Sequence, residues 1–223
     1  MRRSALLLPL CLLSLAAFHG DCVAQPTTRT VRIAGKDQRG KYDISWLQLT
    51  TRFPGPVRAR VNTDLEKEAR AHICPANTGE HLDAEFSMKL TYLSPDLLGV
   101  STAEDSFCGG AHPVHGTRGL LYDLRTGARL EVEQEMARAE AFRRFVDRRV
   151  LAARPSDTSE ECAEVNKQQS WGYIYILEPR GLSVTQDYPN VIMACGYTTD
   201  IPYADIIPFL KPSSALRTLV PSR

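Results

Sequence analysis

Residues Cys108–Val132, CGGAHPVHGTRGLLYDLRTGARLEV, hold the pattern that decides the fold. Adjacent glycines at 109 and 110 open backbone conformations closed to other residues. Thr117–Leu124 is strand-like, Arg125-Thr126-Gly127 has hairpin-turn composition, and Ala128–Val132 returns. A second hairpin lies just upstream. Phe86, Met88, Leu90 and Tyr92 alternate, Ser94-Pro95-Asp96 turns the chain, and Leu98–Thr102 comes back. Downstream, Met136, Phe142, Phe145, Val146 and Val150 line one face of a helix expected over Glu133–Ala153, with arginines on the other face.

Further out, Tyr42–Thr50 alternates as a strand and Pro54-Gly55-Pro56 stops it. Val57, Val61, Leu65 and Ala69 then recur every fourth residue, which predicts an amphipathic helix over Val57–His72, ended by Cys74-Pro75. Pro155–Lys167 reads as a polar loop holding Cys162. Trp171–Leu177 and Leu182–Thr185 form a third hairpin around Glu178–Gly181. Ile201–Tyr203 is strand-like and leads into a short helix over Ala204–Leu210. The expectation is one α+β domain over 42–212, an antiparallel sheet of several hairpins with two main helices packed on it. It is preceded by a lead-in segment, 25–41, with one short strand at Thr30–Ile33, and followed by a tail, 213–223.

The first 24 of the 223 residues have the form of a secretory signal peptide: Arg2-Arg3, an apolar stretch from Ala5 to Phe18, then Cys22-Val23-Ala24 as a small-residue cleavage site. Without them Lys and Arg balance Asp and Glu. A neutral chain has no long-range attraction to nucleic acid or to an anionic membrane, so neither is expected as a partner. Cys22 also offers a lipoprotein reading, but His19-Gly20-Asp21 lacks the small uncharged residue expected before a lipidated cysteine. The expected location is the periplasm or the outside of the cell. Four cysteines remain there, Cys74, Cys108, Cys162 and Cys195, an even number in an oxidising compartment. Of the three possible connectivities, the register of the hairpin around Glu178–Gly181 favours Cys162 with Cys195 and, by elimination, Cys74 with Cys108.

Chemistry-bearing patterns are sparse. His112-x-x-His115, with His81 and Asp83, has a spacing common by chance and lies in strand or turn, so no metal or other cofactor is expected. No G-x-S-x-G elbow occurs, Ser106 has no recognised motif around it, and nothing selects among Asp96, Asp105 and Asp123 as a partner for a histidine. Gly109-Gly110 lacks the lysine and helix of a phosphate loop. Trp46, Trp171, Tyr173, Tyr175 and Tyr188 have the shape to stack on sugars, although packing is the commoner role of such residues. No catalytic residue is assigned.

The segment Cys108–Gly116 followed by Leu121-Tyr-Asp-Leu-Arg-Thr-Gly127 resembles an exported family of unknown function, the PdaC/RsiV-like domain. This domain is shared by the extracellular part of lysozyme-sensing anti-sigma factors and the N-terminal region of certain peptidoglycan deacetylases. The matching patterns are G-G-A-H-P at Gly109–Pro113 and Y-D-L-x-T-G at Tyr122–Gly127, supported by Tyr175–Leu182, Ala194-Cys-Gly196 and Ile201–Ile206. The resemblance implies an α+β fold and marks Gly109, Gly110, His112 and Pro113 as binding candidates. The family's membrane anchor and catalytic domain have no counterpart in this sequence, which implies a free, non-catalytic envelope module recognising a lysozyme-like protein or a cell-wall glycan. Glu131, Glu133 and Glu135, or Asp157, Glu160 and Glu161, would form the acidic patch that a basic protein requires. The alternatives are a hydrolase or deacetylase acting on wall material, with His112 and a nearby Asp at work, and an accessory protein of an envelope complex.

Overall fold

A computed structural model describes residues 27–37, 40–75, 82–156, 158–168, 172–189, 192 and 195–219. Two sheets organise the chain, as expected of the α+β class. The larger runs β1 (Thr28–Asp37), β2 (Gly40–Leu49), β3 (Asp83–Leu93), β4 (Leu97–Phe107), β5 (Val114–Asp123) and β6 (Ala128–Leu130), each beside the next. The smaller holds β7 (Gly172–Glu178), β8 (Gly181–Asp187) and β9 (Thr198–Pro202).

Several sequence expectations are corrected. The short strand expected at Thr30–Ile33 is the ten-residue β1, paired with β2 from Thr28↔Leu49 to Asp37↔Gly40. As an edge strand it has Val31 and Ile33 as its half-buried apolar side chains, set between exposed residues, a weak pattern to read, and its register is held by side-chain pairs such as Arg32 with Asp43. The sheet is not wholly antiparallel. Lys41–Ile44 of β2 lie parallel to Asp83–Phe86 of β3, because the intervening chain crosses over through α1 (Gly55–Arg70).

Helix α1 starts behind Pro54 with Pro56 in its first turn, where a missing N–H costs nothing. It buries Val61, Leu65 and Ala69 against Ile44, Trp46, Phe86, Val100 and Leu120. Its Asn62 amide takes the N–H (2.7 Å) and the C=O (3.1 Å) of Leu49, satisfying the end of β2. The Leu97–Val100 and Leu120–Tyr122 runs are buried on both faces, so they read as continuous apolar stretches. Leu98, Val100, Leu120 and Tyr122 face α1, while Leu97 and Leu121 join a second core. That core combines Leu177, Leu182, Val184 and Ile201 of the small sheet with Phe142, Val146 and Val150 of α2 (Ala139–Ala152).

The helix expected from Glu133 is split. Val132–Glu135 forms a 3-10 turn, and Met136 is extended and bridges Leu210. The C-terminal segment takes the backbone here, with Ala137 N–H donating to the Phe209 carbonyl (2.7 Å) and Lys211 N–H to that of Glu135 (2.9 Å). Cys162 lies in α3 (Glu160–Gln168) rather than in a loop. The expected terminal helix is the single turn α4 (Tyr203–Ile206) followed by a 3-10 turn through Phe209. Both disulfides form with the connectivity favoured by hairpin register, Cys74–Cys108 and Cys162–Cys195. No helix among the described residues is long and apolar enough to cross a membrane.

Candidate functional site

The signature Tyr122–Gly127 is consumed by architecture. The Tyr122 hydroxyl donates to Asp64 of α1 (2.8 Å), and burial followed by this carboxylate pushes its pKa far up. Asp123 accepts from the Arg125 N–H and guanidinium (each 2.9 Å), which holds its carboxyl below the ordinary range. Leu124 N–H donates to Asp96 (2.7 Å), and Gly127 takes φ 73°, closing the turn onto Asp123. Gly109 and Gly110, at φ 92° and 108°, shape an exposed turn between β4 and β5, where His112 Nδ1 lies 3.2 Å from the Pro113 carbonyl. These four binding candidates stand outside the recess between the two sheets, which Val114 and His115, next in the chain, line.

A recess of about 660 Å³ opens where the two sheets part. β7 crosses β5 so closely at Gly119 that a Cβ there would stand 1.8 Å from the Tyr175 carbonyl oxygen. Beyond the crossing the sheets diverge. One wall is β5 from Val114 to Arg118, backed by Thr102 and Glu104 of β4. The other is Ile174 and Ile176 of β7 with Ser183, Thr185 and Asp187 of β8. On β8, Leu182 and Val184 point into the core while Ser183 and Thr185 point into the groove, the two-residue period of a strand. A volume of this size, with hydroxyls and charges set among the apolar surface of Val114, Ile174, Ile176 and Tyr188, suits a ligand that makes both polar and apolar contacts.

In the lining of this recess His72 stacks on Phe86 (4.1 Å between centroids) and sets Nδ1 3.0 Å from Glu104 Oε1. The Ser106 hydroxyl donates to the same oxygen (2.8 Å), so it is aligned on the carboxylate and not on the imidazole. Sequence reading did not select His72 or Glu104. One signal was available: Leu98, Val100, Thr102, Glu104 and Ser106 alternate on one face of β4, which turns from apolar to polar along a buried surface.

The other candidates are dispersed. His115 pairs with Asp105 (3.2 Å), Asp83 lies 3.7 Å from Lys41, and His81 falls outside the described residues. Among the described residues no three His, Cys, Asp or Glu side chains gather as a metal would require. Trp46 is core; Tyr173 and Tyr175 donate to Asp147 and Glu133, and their hydroxyl pKa values are pushed far up by burial and then by those carboxylates. Trp171 lies outside the described residues, and Tyr188 of this aromatic set lines the 660 Å³ recess. Glu131, Glu133 and Glu135 do not stand as a free acidic patch, since Glu133 is taken by Tyr175 and Arg143 and Glu131 lies 3.8 Å from Arg129. Of the second acidic patch, Asp157 is outside the described residues and Glu160 and Glu161 open α3, exposed.

The architecture is that of a group of bacterial proteins without an assigned function. The chain is similar to a DUF3298 family protein from Pseudomonas aeruginosa, with a TM-score of 0.62 and 16% identity over 87% of this chain and 97% of that one. It is likewise similar to a DUF3298 family member from Bacteroides fragilis, with a TM-score of 0.64 and 12% identity over the same shares. At these identities the likeness establishes the fold. No protein-family model matches the chain, and no curated protein matches it.

Proposed function

We propose that this chain is a non-catalytic binding module of the bacterial envelope, exported to the periplasm or beyond, and that its ligand, an envelope protein or a wall glycan, lies in the groove between the two sheets. The observation that carries this reading is the groove itself, a recess built by two sheets and lined on both walls by hydroxyls and charges. Pairing of Cys74 with Cys108 and of Cys162 with Cys195 fits an oxidising compartment. The resemblance to the PdaC/RsiV-like domain, carried by Gly109–Pro113 and Tyr122–Gly127, agrees with an envelope setting.

One observation favours an enzyme instead: an imidazole oriented by a shielded carboxylate, His72 on Glu104, is a general-base geometry. The two readings separate by titrating the protein with lysozyme and with soluble peptidoglycan fragments at several salt concentrations while products are followed by mass spectrometry. A binding module saturates with one of them, releases no product and loses affinity when Ser183→Trp fills the groove. Turnover abolished by His72→Gln, or no saturable binding to either, refutes it.

A further inference from the structure

The backbone of β5 narrows what runs along the groove. β6 pairs with Leu121–Asp123, so among the described residues the outer edge of β5 from Val114 to Leu120 has no strand paired to it. Arg118 N–H donates toward β4 to Thr102 Oγ1 (3.2 Å), and Leu124 N–H donates to the Asp96 carbonyl (2.7 Å). Even-numbered residues of β5 therefore turn their backbone polar groups to β4. By the alternation of a strand, His115 and Thr117 turn theirs outward, along the wall of the groove. Such an edge is a template for another strand.

The recess also has the length for one. A second cavity, about 270 Å³, shares Arg118, Ile174 and Asp187 with the first and continues past Gly119 to β6. A strand laid on this edge would direct alternate side chains to opposite walls. One set meets Ile174 and Ile176; the other meets Arg118, whose guanidinium has no ion-pair partner among the described residues.

We propose that β5 accepts an extended peptide as an added strand in line with β6, its apolar or β-branched side chains against Ile174 and Ile176 and a carboxylate against Arg118. Main-chain hydrogen bonds would supply affinity and the two walls selectivity. This rests on the binding-module reading and names its ligand class. A glycan would engage the side chains of the groove and leave the His115 and Thr117 backbone to water.

The test pans a display library of random twelve-residue peptides on the intact chain and follows the selected peptides by NMR, with chitohexaose as the glycan probe. Selected peptides should alternate apolar residues and carry Asp or Glu, and the His115 and Thr117 amides should exchange with solvent at least tenfold more slowly when bound. N-methylation of alternate peptide amides should weaken binding at least tenfold. Thr117→Pro, which removes an outward N–H that the β4 ladder does not use, should do the same at an unchanged melting temperature. Peptides that bind without slowing those amides overturn strand addition. Shifts at Ser183 and Thr185 with chitohexaose while no peptide is selected also overturn it, yet leave the binding-module reading standing. No groove resonance moving with either probe refutes both.

Discussion

Asp123 is held by charge where the chain most needs a fixed turn. Its side chain is 9% exposed and accepts three hydrogen bonds from Arg125, so its carboxyl sits below the ordinary value of about 3.9. A depressed folded-state pKa contributes stability above the unfolded value and loses it as pH falls through the folded one. Asp123→Asn should therefore cost about 2 kcal/mol at pH 7 in urea melts, and the gap to the unaltered protein should close as pH falls below the ordinary carboxylate range. A gap independent of pH would mean that geometry, not charge, holds the turn. At this scale the sequence was informative about shape and silent about binding. The residues of Tyr122–Gly127 stand out because each performs a local structural task, whereas Glu104 and His72 meet only in the fold, 32 residues apart in number.

Between elements, the decisive contact is β7 lying across β5. Gly119 has an ordinary backbone, and what it supplies is the absence of a side chain under the Tyr175 carbonyl. Gly119→Ala should destabilise the protein by about 3 kcal/mol, since backbone and not a flexible side chain has to move. Gly116→Ala, whose Cβ would meet only Glu104 at 3.9 Å, should change the melting temperature little. Equal effects would place the sheet contact elsewhere. Helix α1 and the hairpins were legible because each buries one face at its own period. Three features were not. β1 buries too little to show a pattern, the parallel β2–β3 pair depends on a crossover, and the first turn of the expected long helix is taken over by Phe209 and Lys211.

Across the whole molecule, two disulfides brace separate parts of the chain. Cys74–Cys108 ties the segment after α1 to the end of β4, and Cys162–Cys195 ties α3 to the segment before β9, closing separations of 34 and 33 residues. On the chain-entropy account each contributes about 4 kcal/mol. Replacing Cys74 and Cys108 by serine should lower the unfolding free energy from urea melts by about that amount, and an unchanged free energy would show that the unfolded chain is already restrained there. The sheets meet at one crossing and part on one side of it, which leaves a groove with β5 as its wall. The central claim is that this groove holds the ligand. Its most direct measurement is an NMR titration of the labelled protein with soluble peptidoglycan fragments and with lysozyme. Binding is predicted to shift Thr102, Thr117, Arg118, Ser183 and Thr185 together while Gly109–Pro113 and β1 stay still. Shifts confined to the Gly109–Pro113 turn, or to the outer edge at β1, would contradict it.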